Sequence, residues 1–277
     1  MSKIEIDRAA CTKCASCVEV CPREFLRADA DGFPEARVGV KPGCNDCGHC
    51  LSVCPHGALV LNGLSAWECE GVEQVQPLGP QAVEHLVKGR RSVRAFREQP
   101  VPRETIEWLF DVARWAPSAM NAQPVCWIVL DGREKVHALG GLMADWMRTE
   151  GRFPELVEAW DRGVDRIFRN APHLLVAHAL HEGFDLTVGD TVPDSALGNP
   201  MVDCAIAVAT VEIAAHAVGV GACWAGFFML AARAGAPLLG TLSLPEGHGV
   251  FAALMLGLPR YQHRTVPPRR ESRVTWM

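Results

Sequence analysis

Eight cysteines fall into two copies of one spacing near the start of the chain: Cys11, Cys14, Cys17 and Cys21-Pro22, then Cys44, Cys47, Cys50 and Cys54-Pro55. Each copy reads Cys-x2-Cys-x2-Cys-x3-Cys-Pro. A segment this short buries too little apolar surface to hold itself together, so its fold must be organised around whatever the thiols bind. Zinc prefers a closed tetrahedron, usually built from two separated Cys-x2-Cys pairs, whereas each run here packs four cysteines together. A disulfide scaffold needs an oxidising compartment. The opening MSKIEIDRAAC carries neither the apolar stretch of a secretory signal nor a twin-arginine start. The expectation is a cytoplasmic chain whose thiols stay reduced and available to iron.

The spacing is similar to that of bacterial ferredoxins with two cubane clusters. The resemblance implies two [4Fe-4S] clusters and a ligand set that crosses between runs, because the fourth cysteine of each run serves the other cluster. Cys11, Cys14, Cys17 and Cys54 would hold the first cluster, and Cys44, Cys47, Cys50 and Cys21 the second. It further implies a small ferredoxin-like domain over residues 1–64 with two repeated halves, turns at Asp31-Gly32 and Pro42-Gly43, and passage of single electrons. Of the other four cysteines, Cys126, Cys204 and Cys223 lie in apolar surroundings and read as core packing. Cys69, between Glu68 and Glu70, reads as exposed.

Glu68, Glu70, Glu73, Pro77 and Pro80 mark residues 65–80 as a linker, and 277 residues leave room for a second domain over 81–277. A net charge of −5, from 27 basic and 32 acidic residues, invites neither nucleic acid nor an anionic membrane. The apolar stretch 204–226 is broken by Glu212 and His216 and reads as a buried helix. A short helix is expected from Gln81 to Gly89. Ile106, Leu109, Phe110 and Ala113 predict an amphipathic helix over Arg103–Ala116, stopped by Pro117. Strands are predicted at Val125–Leu130, Leu174–Ala177 and Val250–Met255. Residues 135–170 read as helical, with Trp146, Met147 and Trp160 either packed or forming a lid. Helices alternating with few strands imply an α+β sandwich.

Three separated stretches of this second domain resemble the FMN-dependent nitroreductases. The first is Lys88-Gly-Arg90-Arg91-Ser92-Val93-Arg94-Ala-Phe96. The second is Ala116-Pro117-Ser118-Ala119-Met120-Asn121-Ala122-Gln123-Pro124. The third runs from Asp203 into Gly219-Val-Gly221-Ala-Cys223-Trp224-Ala225-Gly226-Phe227. The resemblance implies a central, mainly antiparallel sheet and a homodimer with FMN at the subunit interface. It implies that Arg90, Arg91, Ser92 and Arg94 hold FMN, since arginine forks and a hydroxyl suit a phosphate and a cation suits the reduced ring. Pro117, Ser118, Ala119, Asn121 and Gln123 would approach FMN from the partner subunit. Ala225 and Gly226 would lie at flavin N5, with the Gly226 amide on that atom and Gly219 or Gly221 ending the preceding helix. The ending Leu258-Pro259-Arg260 and the tail after it, which over residues 259–277 carry five arginines against the single acid Glu271, resemble the family's closing segment. Arg264, ahead of Arg269, would complete the phosphate site. The family's usual tyrosine before that proline is Leu258 here.

The reactive atom implied is flavin N5, and no protein side chain is assigned as catalytic; His173, His181, His216 and His248 are scattered. No Gly-x-Gly-x-x-Gly follows a strand, yet NAD(P)H remains a candidate donor because the family stacks nicotinamide on the flavin. The expected activity is an oxidoreductase passing electrons from reduced ferredoxin or another low-potential donor, through the clusters and FMN, to a small nitroaromatic, quinone or enone. Rival readings are an electron-transfer or redox-sensing subunit without its own substrate, and dehalogenation or flavin fragmentation on the same scaffold.

Overall fold

The computed structural model describes residues 4–37, 39, 43–72, 77–181 and 199–277. Pro42 of the expected turn and Glu73 of the expected linker lie outside the described residues. The chain forms two compact units. One comprises the N-terminal residues up to Pro77 together with Pro117–Gln123; the other comprises Leu78–Ala116, Pro124–His181 and Pro200–Met277.

In the first unit the elements are β1 (Ile4–Ile6), α1 (Ser16–Glu19), β2 (Leu26–Ala28), β3 (Pro34–Ala36), α2 (His49–Val53), β4 (Leu59–Leu61) and β5 (Leu64–Ser65). Strands β1, β4 and β5 form an antiparallel sheet and β2–β3 a hairpin. Sheet and turn continue past residue 64, where Ser65 and Glu68 close a capping box at the 3-10 turn Ala66–Glu68. The repeat in the cysteines extends to the backbone. Two and four residues after the first cysteine of each run the chain is left-handed, at Lys13 (φ 59) and Ala15 (φ 61), and at Asp46 (φ 53) and Gly48 (φ 72). Glu24 and Gly57 repeat it three residues past the fourth cysteine. The fourth sulfur of each run accepts an amide four residues on, Phe25 N to Cys21 Sγ and Ala58 N to Cys54 Sγ, both at 3.3 Å.

The second unit contains α3 (Pro80–Gly89), α4 (Arg103–Ala113), β6 (Cys126–Asp131), α5 (Arg133–Thr149), α6 (Pro154–Asp161), β7 (His173–Leu180), α7 (Pro200–Ala217), β8 (Gly221–Trp224), α8 (Gly226–Arg233) and β9 (His248–Gly257). Its sheet has the order β6-β7-β9-β8 and is antiparallel throughout. Period-2 alternation sends Leu174, Val176, Ala253 and Met255 to one face, packed with Val136, Met143, Leu156 and Phe228 of α5, α6 and α8. Leu175, Ala177, Leu254 and Leu256 go to the other, against Ile106 and Leu109 of α4 and Val208 and Val211 of α7. The result is the expected sandwich of helices about an antiparallel sheet. Helix α7 is apolar and long enough to cross a membrane by length and composition, but its Cys204, Val208, Val211 and Ala215 are fully buried in this core.

Several expectations need correction. Residues 221–224 are a strand and not part of a glycine-bearing turn, because β9 offers a full register from Gly221↔Gly257 to Trp224↔Leu254. Helix α7 ends at Gly219 (φ 75), where the amide of Val220 reaches back to the Ala215 carbonyl. Gly221 instead lets the strand approach Val93, whose side chain lies 2.8 Å from where a Cβ would stand. Trp146 and Met147 are buried in the core, and Trp160 fills the space left by the missing Cβ of Gly140; they pack and do not form a lid. Cys204 and Cys223 are buried as expected, but Cys126 is exposed because it opens an edge strand.

His173 is 1 % exposed, and its Nε2 accepts the Val101 amide at 3.0 Å, which requires that nitrogen to be unprotonated. Burial lowers its pKa from 6.5, opposed by Asp131 with Oδ1 2.9 Å from Nδ1. The unfolded chain therefore binds a proton that the folded one excludes, so stability falls as pH drops below 6.5. We expect the urea midpoint of this unit to decline between about pH 7 and pH 5, less so in His173→Gln, whose amide does not titrate. An unchanged slope in that variant would remove His173 as the cause.

Candidate functional site

The eight run cysteines line two separate cavities, and they divide across the runs. Cys11, Cys14, Cys17 and Cys54 surround one, beside Pro34 and Pro55. Cys21, Cys44, Cys47 and Cys50 surround the other, beside Arg23, Phe25 and Asn45. The left-handed turns permit this, since they curl the first three sulfurs of a run inward while the chain delivers the fourth to the opposite cavity. Burial, with the nearby sulfurs of Cys44, Cys47 and Cys21, pushes the Cys50 thiol up to about 11. Burial also raises Cys17, with Cys54 and Cys14 adding to it. Clustered thiols that oppose each other's ionisation are relieved by a cation, and thiolates suit soft iron or zinc.

Arg23 decides what charge the second cavity suits. Its Nε and Nη2 are closed off from solvent and have no hydrogen-bond partner among the described residues, while Nη1 reaches the Met120 sulfur at 3.4 Å. Arg23 is half-buried overall, but enclosed donors of this kind are normally satisfied, so these two nitrogens call for an acceptor. A four-thiolate iron-sulfur cluster, which is anionic overall, fits this environment.

The segment Pro117–Gln123 belongs to the same unit. Met120, Asn121 and Gln123 have positive φ (56, 56 and 49), and the Ser118 hydroxyl accepts the Gln123 amide at 2.9 Å. The loop is held to the second run by reciprocal amide bonds. Asn45 Nδ2 donates to the Met120 carbonyl at 3.0 Å, and Asn121 Nδ2 donates to the carbonyls of Asn45 and Asp46 at 3.2 and 3.3 Å. Within one chain the Asn121 amide is therefore turned to the second cysteine run.

In the other unit, Gly89, Arg90, Arg91, Val93, Glu212, His216, Gly219, Tyr261 and His263 contribute to a cavity of about 310 Å³. Arg90 Nη1 pairs with Glu212 Oε1 at 2.7 Å, and Trp224 Nε1 donates to Glu212 Oε2 at 3.2 Å. Arg91 bonds the carbonyls of Lys88 and Arg90. Ser92 bridges Ala222, and the neighbouring Val93 amide bonds the Ala222 carbonyl.

Ser92 and Arg94 do not line that cavity; they act on Cys223. Burial raises its thiol, while the Arg94 and Arg169 charges and a Ser92 hydrogen bond oppose the rise. Arg169 escaped the sequence reading. It lies within a loop in which Asp165, 7 % exposed, accepts the amides of Ile167, Phe168 and Asn170. An Asp ahead of Arg-Asn between helix and strand was the available signal. The Ala225 amide is taken by the Ala253 carbonyl, so it is not free for a ligand. Gly226 opens α8, where first-turn amides lack intrahelical acceptors, and the space beside its Cα is open. Two arginines, a hydroxyl and a helix-start amide fit an anionic cofactor such as FMN. Arg264 and Arg269 are exposed on the tail and line neither place.

Residues 87–258 match the nitroreductase family and residues 9–59 the 4Fe-4S dicluster domain. A protein of Methanothermobacter thermautotrophicus, provisionally named NADH dehydrogenase/NAD(P)H nitroreductase, is 27 % identical over 179 residues, 62 % of this chain and 75 % of that one. Nitroreductase NfnB of Mycolicibacterium smegmatis is 38 % identical over 96 residues, 30 % of this chain and 41 % of NfnB. A crystal structure of a nitroreductase with bound FMN from Desulfitobacterium hafniense superposes with a TM-score of 0.54 at 23 % identity. It covers 70 % of this chain and 97 % of its own. That likeness establishes the fold.

Proposed function

We propose, from a chain that belongs to the nitroreductase family and carries an N-terminal 4Fe-4S dicluster domain, that it is a cytoplasmic homodimeric FMN oxidoreductase fed through two [4Fe-4S] clusters. The acceptor is a small organic molecule of the nitroaromatic, quinone or enone class. Bound FMN supplies the conversion between one-electron and two-electron chemistry. The single observation that carries the reading is the amide clamp between the second cysteine run and the loop resembling the family's flavin-contacting segment. It gives the cluster unit a fixed hold on the segment that, by resemblance, meets FMN in a dimer.

The residues divide the work. The two sets of four cysteines would hold the clusters, with Arg23 offering charge to the second. Ser92, Arg94 and Arg169 would hold the anionic parts of FMN and Gly226 would offer its amide to the ring. Arg90 serves through its pair with Glu212, keeping the cavity wall in place. Arg264 and Arg269 would join from the tail. NAD(P)H, present in the names of relatives, is proposed as an alternative donor.

Anaerobically purified protein should contain about eight irons and one FMN per chain and elute as a dimer. With reduced ferredoxin it should turn over at least one member of a nitroaromatic, quinone and enone panel. Paired Asn45→Ala and Asn121→Ala changes should slow reduction by ferredoxin while sparing direct reduction by dithionite. No turnover across the panel with either donor would make the chain an electron carrier.

A further inference from the structure

A second metal-ligating cluster lies on the sheet of the other unit, away from both cysteine runs in sequence. Cys126 opens β6 opposite His178 of β7. The β7–β9 register shifts between Ala177 and His178, so that His178 faces Val250 and Leu180 faces His248. Directly opposed residues of antiparallel strands project to the same face, and diagonal neighbours remain within reach of a long side chain. The irregularity brings the two imidazoles together: their Nδ1 atoms are 2.8 Å apart. The Cys126 sulfur joins them, with all three potential ligand atoms within 4.8 Å of one another.

Ordinary sheet packing explains this poorly. His178 is only 4 % exposed, and a single proton between two Nδ1 atoms leaves one ring as acceptor, so both rings cannot be charged together. Burial and the adjacent His248 keep His178 in the neutral form that ligates metals. Among the described residues the hydrogen-bonding contact of Cys126 is a long one to the Pro124 carbonyl, 3.8 Å, and its exposure leaves a way in from solvent. Tetrahedral zinc with N and S ligands at its usual bond lengths separates ligand atoms by about 3.3 to 3.6 Å. The imidazole pair is closer than that range and the sulfur lies within 4.8 Å of the ring nitrogens, so seating the ion calls for small side-chain rotations and no change of strand register.

We propose that Cys126, His178 and His248 form a zinc site, with both imidazoles ligating through Nδ1, a thiolate third ligand and a fourth position open to an exogenous donor. Two imidazoles and a thiolate, with no carboxylate, select a borderline-soft ion over calcium or magnesium. On binding, the imidazole that donates the shared Nδ1 proton carries it on Nε2 instead, so both rings stay neutral; the Cys126 thiol proton is released to solvent, and no electron is transferred. It would tie the first residue of edge strand β6 to the two strands beyond it, immediately after the Pro117–Gln123 loop. The inference stands apart from the flavin and cluster reading.

The test uses protein with its clusters intact, so that the run cysteines are occupied. After equilibration with Zn²⁺ and desalting, wild type should retain about one zinc per chain with iron unchanged, and zinc X-ray absorption should show two imidazole nitrogens and one sulfur. Cys126→Ser, a change at an exposed position, should remove the sulfur signal, and His248→Gln should weaken zinc more than about tenfold. Absence of zinc from wild type overturns the site. So does equal zinc, with the same absorption signature, in both variants at equal iron content.

Discussion

Replacing Cys54 by alanine is expected to empty the cavity of the first cysteine run and leave the other loaded, with Cys21→Ala doing the reverse. Each change should lower iron from about eight to about four atoms per chain. The direction follows from the cavities, since Cys54 stands with Cys11, Cys14 and Cys17, and Cys21 with Cys44, Cys47 and Cys50. The surviving cluster can be identified. Arg23 lines only the second cavity of the two, and a positive charge beside a cluster favours its more negative, reduced state. Cys54→Ala should therefore retain the higher-potential cluster in an electron-paramagnetic-resonance titration, and Arg23→Gln should lower that potential. If both single variants lost all iron while keeping their far-ultraviolet spectrum, the cavities would not be independent sites. If Cys54→Ala kept the lower-potential cluster, the Arg23 assignment would fail.

Glu212→Ala is expected to destabilise the second unit by about 3 kcal/mol, because it removes one partner of a largely buried ion pair and leaves the other without compensation. The Glu212 side chain is 9 % exposed and Arg90 25 %, and the same carboxylate also accepts the Trp224 indole. The loss should appear in chemical unfolding followed by tryptophan fluorescence. Glu212→Gln, which keeps an acceptor for Trp224, should lose less. A second change, Arg90→Ala, made on the Glu212→Ala background should cost little more, since no buried pair is left to break. Additive losses would show that the two side chains do not act as a unit.

The cysteine runs were legible because ligand spacing is local. Two, two and three intervening residues with a following proline constrain the chain whatever surrounds it, and the left-handed turns repeat residue by residue between the halves. Helices α3 and α4, and three of the four strands of the large sheet, were legible from period and from Pro and Gly stops. Strand β8 was not. Gly-Ala-Cys-Trp has no strand signature of its own and is extended because β9 pairs with it and Val93 packs on its glycine. The exposure of Cys126 was hidden for a similar reason, since apolar neighbours do not reveal which strand ends up at an edge.

The residues implied to hold FMN show the same division. Their identities stood in three sequence stretches, yet Arg90 lies with Glu212, Ser92 and Arg94 lie with Cys223 and the unforeseen Arg169, and Asn121 lies with the second cysteine run. By itself the sequence determined which atoms can bind iron and which segments resemble a flavin site, because those properties reside in residue type and short spacing. Tertiary structure alone decided that Asn121 meets Asn45 76 residues away, and that His178 meets His248 across 70 residues beside Cys126. Such meetings depend on strand register and loop docking, which a one-residue slip would reverse and which no local pattern specifies.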